Sequence, residues 1–562
     1  MKKVARRTTI FLLILSFFSH VCYGQEPENL EKSLSASEKM DKLFEFWNRQ
    51  DQPGFAIAVV KDGQVVYQKV MGLACQEHAV PNTPKSLFNV AELAQPVVGI
   101  AVAMLEKQGK FSLDDDIRKY IPEVPAFETP VKVRHLLYQT SGLRDWLSAL
   151  ALMGREKEEI TFAQVLKIVK AQKQPLFTPG TRFQDSNTNY DLLAEMIKRI
   201  TGKQLSEWTW ENVFKPLKMT RTQFRDNYRE IIENQAFSYD YTRAGYLKGV
   251  DNLSVAGSHS LFSTLEDLSK WLLNLASGEV GGKDLIEKMF TPGQLIGGNS
   301  SSFGYGLHIG SSRGMRQGYQ IGNWASSGAV LNYFPEKKFG FVVLANWDYT
   351  SVEEFVQAII DIYLEPVSAQ EKKAAPAKAP KEVKVKPAVL DRYVGNYRLG
   401  PGNIFTISRV GNELMLLVPG AKYPLTALSE SEFLLTFAEA RITFQKNQKG
   451  EIYQLVWEQG GQEIIAPRIE LVKPTPPQLE EYAGTYYNEE LDTRFIVELR
   501  GDKIVLIPPG QSDILLVPDE KDHFSSGSQF FPMLIFSRDK QNNVSAFVID
   551  SEQVRDLFFK KI

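Results

Sequence analysis

The chain has 562 residues, 43% of them hydrophobic and 23% charged, with 65 Lys and Arg against 67 Asp and Glu for a formal charge of −2. That length is more than one hydrophobic core serves, so several domains are required. The balanced charge lacks the basic excess that nucleic-acid binding draws on, and no nucleic-acid partner is expected.

Lys2, Lys3, Arg6 and Arg7 precede the apolar run Ile10 to Phe18, and Cys22-Tyr23-Gly24 follows. A cationic start, a short greasy centre and small residues before a polar stretch predict a secretory signal peptide over residues 1–24 and a periplasmic or extracellular product. The run falls short of the ~20 apolar residues that span a bilayer, and no other long run follows, so no transmembrane segment is expected after cleavage. Cys22 admits a lipoprotein, which the bulky Val21 before it disfavours. Cleavage leaves Cys75 without a disulfide partner, and Leu73, Ala74, Gln76 and Glu77 offer nothing to stabilise its thiolate.

Residues 25–50 are polar and helix-forming, an approach segment to a domain over 51–366. There Phe55 to Val60 and Gln64 to Tyr67 flank Lys61-Asp62-Gly63. Asp-Gly supplies the positive φ of a tight hairpin, so two strands are predicted. Apolar spacing predicts a buried helix from Gln95 to Gln108, ended by Gly109, and further helices over Val133 to Tyr138, Asp191 to Thr201, Leu265 to Leu275 and Val352 to Tyr363. Phe339 to Asn346 is almost continuously apolar, as befits a strand in mid-sheet.

Residues 367–388 form a linker. Ser368 to Pro387 holds six lysines, five alanines and three prolines and nothing large to bury. Glu371 and Glu382 interrupt its charge and no aromatic interleaves it, against a membrane-surface patch. Beyond it Leu390, Tyr393, Gly395 and Tyr397 recur as Leu479, Tyr482, Gly484 and Tyr486, and Phe405, Gly411, Pro419 and Gly420 recur as Phe495, Gly501, Pro509 and Gly510. A repeat about 90 residues long with short alternating runs predicts two small antiparallel barrels, at 389–472 and 473–562. Each copy resembles the lipocalin-like barrels appended to exported serine hydrolases.

Within 51–366 several segments stand in a telling order: Phe88-Asn-Val-Ala-Glu-Leu-Ala-Gln-Pro-Val97, Gly109-Lys-Phe-Ser-Leu-Asp114, Leu136-Leu-Tyr-Gln-Thr-Ser-Gly-Leu143, Phe183-Gln-Asp-Ser-Asn187, Pro216-Leu-Lys-Met219, Phe262-Ser-Thr264, and Gln320-Ile-Gly322 ahead of Tyr333-Phe-Pro-Glu-Lys-Lys338. In this order and spacing the chain resembles the serine β-lactamase and penicillin-binding-protein superfamily, in its class C or esterase-like branch. The resemblance implies an α+β fold, an antiparallel sheet flanked by helices, with the two barrels following. It also implies Ser-x-x-Lys opening the buried helix, Tyr-x-Asn on a facing loop and a Lys or His in K/H-x-G closing the cleft.

On those positions this chain carries Glu92 for the serine, Gln95 for the lysine, Asp185 for the tyrosine and Gln320 for the lysine or histidine. Gln139 stands where a histidine commonly precedes Thr-Ser-Gly-Leu. Asn187 and Gly322 survive. Acyl transfer needs a hydroxyl, a base and a proton relay, and none is in place, so no catalytic set is intact. Ser-x-x-Lys occurs only at Ser537 to Lys540, in the second barrel. Ser141 and Ser186 lack a useful Lys or His neighbour. Gly310-Ser-Ser-Arg-Gly314 would make Ser312 a nucleophile only in a strand-to-helix elbow, and the glycines that follow predict a polar turn instead.

Three readings follow, the third being a purely structural scaffold whose barrels carry the interaction. In the first the domain is a pseudoenzyme whose cleft, through Glu92, Gln95, Asp185, Asn187, Gln320 and Gly322, binds a small molecule or a peptide, peptidoglycan-like or acyl ligand. In the second it remains a hydrolase, with Glu92 and Asp185 as coupled carboxylates, the raw material of glycoside hydrolysis or a hard metal site. No cofactor is implied. His78, His135, His259, His308 and His523 show no metal-binding spacing, so no metal is expected and each reads as a lone surface or core residue.

Overall fold

The computed structural model describes residues 34–348, 354–364, 383–418, 421–438, 440–459, 462–528, 530–551 and 557–562. Residues 1–24, read from the sequence as a signal peptide, and most of the expected linker lie outside the described residues. The chain forms two compact units, one chiefly of residues up to 369 and one chiefly of those from 370 on.

The first unit is built on an antiparallel sheet of β1 (Phe55–Lys61), β2 (Gln64–Val70), β3 (His308–Ser312), β4 (Met315–Trp324), β5 (Ser327–Phe334) and β6 (Phe339–Ala345), in the order β3-β4-β5-β6-β1-β2. Asp62 and Gly63 both take positive φ, as the hairpin between β1 and β2 requires. Arg313 and Gly314 do the same between β3 and β4, with Ser312 paired to Met315. The Gly310 to Gly314 stretch is therefore a hairpin and not an elbow.

Five helices matter for the site and its support: α1 (Ala36–Leu43), α2 (Ala94–Lys107), α3 (Asn187–Thr201), α4 (Leu265–Ser277) and α5 (Glu354–Tyr363). Phe55, Ile57 and Val59 of β1 share a core with Met40 of α1 and Ile359 of α5, whereas Ala56, Ala58 and Val60 share another with residues of α2 and α4. Both faces of the sheet are covered, so β1 and β6 read as continuous apolar runs. β6 lies between β5 and β1. In the approach segment, Ser35 accepts the Glu38 backbone N–H while its own N–H donates to the Glu38 carboxylate at 2.7 Å, a capping box that starts α1.

α3 starts one turn before the Asp191 predicted from periodicity. The Asp145 carboxylate accepts the Asn187 N–H at 2.8 Å, so the helix start is capped from a distant segment. Gly202, with φ +74°, ends it.

The second unit contains two closed eight-stranded antiparallel barrels, running from Gly395–Gly400 to Gln462–Ile469 and from Gly484–Asn488 to Leu557–Lys561. The duplication extends to individual hydrogen bonds: Tyr397 Oη donates to the Tyr393 carbonyl at 2.8 Å and Tyr486 Oη to the Tyr482 carbonyl at 2.7 Å. Aromatic side chains pack both interiors, with Tyr393 stacked on Phe444 and Phe547 on Phe559. Ser537 sits on the strand Met533–Arg538, so Ser537 and Lys540 do not share a helical face.

Candidate active site

A turn of 3-10 helix, Ala91–Leu93, leads into α2. Ala91 takes φ +46° and its N–H is held by Asn89 Oδ1 at 3.0 Å, which orients the turn. Gly322 on β4 packs against it so closely that a Cβ there would lie 2.6 Å from the Val90 carbonyl and 3.0 Å from the Glu92 nitrogen. Only glycine permits this approach, and it brings the next residue's amide to the turn. The Asn323 N–H donates to Glu92 Oε2 at 2.8 Å.

Gln95, in the first turn of α2, and Gln320 on β4 are both buried. Gln320 Nε2 donates to Gln95 Oε1 at 3.2 Å and to the Gly306 carbonyl at 3.1 Å, and its Oε1 accepts the Ile321 N–H at 3.0 Å. The two amides satisfy each other without charge. A dry site of this kind tolerates an uncharged pair far better than a lone ammonium.

Asp185 and Asn187 precede and open α3. Half of the Asp185 side chain is exposed, and its Oδ2 lies 3.6 Å from His308 Nε2 on β3. Desolvation, then the negative charges of Glu92 and Asp145, raise the Asp185 carboxyl to about 7. Neighbouring protein desolvates the carboxyl although half of the side chain is exposed. Burial pushes the His308 imidazole down to about 4, so the contact is not an ion pair near neutrality. His308 stacks on Tyr319 of β4 with ring centroids 5.2 Å apart, and Phe183 meets it edge-on at 6.0 Å.

Sequence reasoning missed His259. Its ring is 1% exposed, its Nε2 lies 3.2 Å from Glu92 Oε1, and its Nδ1 is 2.9 Å from Ser258 Oγ. Trp146 and Trp324 wall the ring at 6.5 and 5.3 Å. Below it Asp191 accepts from Trp146 Nε1 at 2.6 Å and from the Ser258 N–H at 2.7 Å. Desolvation lowers the imidazole pKa, but Glu92, Asp191 and Asp145 together outweigh it and hold the pKa above its ordinary value. Burial raises Asp191 to about 6. The strand Leu261–Ser263 after His259 pairs with Phe88–Asn89, just before Glu92. That long-range pairing brings His259 under Glu92, and no local spacing announces it.

Ser258, His259 and Glu92 thus line up as hydroxyl, imidazole and carboxylate, the last contact at ion-pair distance without hydrogen-bond geometry. Ser258 is fully buried. A hydroxyl that no carbonyl can reach is not a nucleophile. Gln139, at φ +56°, accepts from the Ser186 N–H at 3.1 Å and from Asn189 Nδ2, and Ser141 Oγ bonds Asn189 Oδ1 at 2.6 Å, so these side chains brace the loop ahead of α3. His135 is a buried structural residue and His523 lies in the second barrel beside Glu520. Among the described residues, no three His, Cys, Asp or Glu side chains gather closely enough to hold a metal ion.

The Beta-lactamase family profile matches residues 38–363. The chain belongs to this family. It is 24% identical over 448 residues to a penicillin-binding protein of Bacillus subtilis (strain 168), across 75% of this chain and 97% of that one. Among solved structures it is similar to the octameric penicillin-binding protein homologue from Pyrococcus abyssi, at 22% identity and a TM-score of 0.53 over 84% of this chain and 97% of that one. The penicillin binding protein from Bacillus halodurans is similar at 20% identity and a TM-score of 0.51 over 58% and 99%. These structural likenesses show the fold. In this beta-lactamase-family domain, the helix that opens with serine in the resemblance opens with Glu92.

Proposed function

We propose that this beta-lactamase-family domain is a pseudoenzyme, an exported binding protein that keeps the cleft and has given up acyl transfer. The observation that carries the reading is the engagement of both Glu92 oxygens, one by the Asn323 N–H at 2.8 Å and one by His259 at 3.2 Å. A carboxylate held this way is a poor nucleophile. It also occupies a backbone donor that could otherwise stabilise a substrate oxyanion. The Gln95–Gln320 amide pair supplies no base to replace the missing lysine. The family and the penicillin-binding relatives suggest a peptide, a peptidoglycan-like fragment or an acyl ester as the ligand class.

One observation favours the second reading, a hydrolase built on carboxylates. Desolvation first, and then the charges of Glu92 and Asp145, raise the Asp185 carboxyl to about 7, in the range a glycosidase's general acid uses. The ties on Glu92 weigh against it, because the Asn323 N–H and the His259 imidazole both draw on the carboxylate that would activate water.

Nitrocefin and p-nitrophenyl ester turnover by the purified mature chain tests the first reading, which expects none. Turnover that vanishes on Glu92→Ala overturns it. A glycan hydrolysis screen, with and without magnesium or calcium, tests the second.

A further inference from the structure

Beside Glu92 stands an ionisable carboxyl without a counter-ion. Asp185 is half exposed, and among the described residues no Lys or Arg comes within ion-pair distance of it. Its one basic neighbour, His308, is uncharged near neutrality. The surroundings are aromatic: His308 and Tyr319 stack with a 19° angle between their rings, Phe183 meets His308 edge-on, and Phe303 backs His308 at 4.9 Å. Phe183, His308 and Tyr319 are each only partly buried, so part of each ring remains open to a ligand.

A carboxylate set among ring faces is the chemistry that recognises an organic cation: the carboxylate takes the charge and the rings take the alkyl stem and the diffuse positive field. The alternatives fit less well. Asp185 and His308 are two donors, short of a metal-binding set. An anionic ligand would meet Asp185 and Glu92 with no cation facing it from Gln95 or Gln320, the positions that carry lysine or histidine in the resemblance.

We infer that the cleft binds an alkylammonium group at Asp185, flanked by Tyr319, His308 and Phe183. This rests on the reading of the cleft as a binding site and names the chemistry of its ligand. The cation comes from a lysine side chain of a peptide or from a free diamine, and the two sources share this recognition.

The test is isothermal titration calorimetry on the full mature chain at pH 8 with three probes: Nα-acetyl-lysine amide, its neutral Nε-acetylated counterpart, and pentane-1,5-diamine. The inference expects binding by an amine-bearing probe, at least tenfold weaker binding by the neutral probe, and a loss of at least tenfold with Asp185→Asn at unchanged melting temperature. Tyr319→Leu is expected to weaken binding about threefold with the carboxylate still in place. Preference for the lysine amide identifies a peptide source, and preference for the diamine identifies a free amine. Both support the inference.

Asp185 is faced by Glu92, Asp145, His308, Tyr319 and Tyr190. Because its carboxyl must ionise to hold a cation, affinity should rise from pH 6 to pH 8. Equal binding of the neutral and charged lysine probes, or unaltered binding by Asp185→Asn, overturns the inference. If the chain hydrolyses an ester through Glu92 yet loses amine binding on Asp185→Asn, the pseudoenzyme reading fails and this one stands. If it is inert toward esters and takes up no amine, the reverse holds.

Discussion

Glu92 and His259 lie 3.2 Å apart, a carboxylate at the cleft surface and an imidazole sealed beneath it. On the register of the resemblance, the residue that stands where the serine would be is one half of an internal ion pair. The other half gathers Asp191 and Asp145 around it as well. This relationship makes Glu92 a part of the domain's packing as much as of its surface.

Replacing Glu92 with Gln keeps the shape and removes the charge. His259 then loses the strongest of the influences that raise its pKa, and the imidazole becomes neutral. The domain should lose about 2 kcal/mol, less than a fully buried pair because Glu92 is 23% exposed. Urea unfolding at pH 6 measures this, and an unchanged midpoint would show that the pair contributes nothing.

The same pair gives stability a direction with pH. His259 titrates above the ordinary imidazole value of 6.5 in the folded state, so its contribution is complete below that pH and is lost as pH rises through the folded value. Asp191, raised to about 6, acts in the same sense at lower pH, because its protonated form is the one the fold favours. Unfolding free energy of the cleft domain should therefore fall between pH 6 and pH 9, and His259→Gln should flatten that fall. A flat wild-type profile over this range would contradict the assignment of charge to His259.

Restoring Glu92→Ser together with Gln95→Lys should produce no acylation by a fluorescent penicillin. The tyrosine and lysine or histidine positions would still hold Asp185 and Gln320, and His259 would lose its partner. Gln95→Lys alone should cost about 3 kcal/mol, since it buries an ammonium against the Gln320 amide without a counter-charge. Strong labelling of the double variant on a gel would show a site better preserved than its side chains suggest.

Gly322→Ala should destabilise the domain by about 2 kcal/mol. Its Cβ would lie 2.6 Å from the Val90 carbonyl, and backbone cannot swing aside as a side chain can. A melting temperature within a degree of the parent would argue that the turn before α2 moves freely.

Tyr397→Phe and Tyr486→Phe should each cost about 1 kcal/mol, and by similar amounts, because each deletes the same buried hydrogen bond in its own barrel. Markedly unequal losses, read by chemical denaturation, would mean that the two copies have diverged in how they are held.

Local chemistry made several elements legible without any coordinates. The Asp62-Gly63 hairpin, the apolar mid-sheet run at Phe339, the end of α2 at Gly109 and the tandem barrels all follow from turn geometry, periodicity or repetition within a few residues. The resemblance laid Glu92, Gln95, Asp185 and Gln320 on one cleft, and Gln95 does bond Gln320 across 225 residues of chain. What no window of sequence contains is the partnership of groups far apart in the chain. Asp145 caps α3 from 42 residues away, and His259 reaches Glu92 because the strand that follows it pairs with Phe88–Asn89. Residue types and spacing put Glu92, Gln95, Asp185 and Gln320 on the positions the resemblance marks and gave no sign of His259. The tertiary pairing decided which of them are spent on each other, because ion pairs and hydrogen bonds depend on distances of a few ångströms that only the folded chain sets.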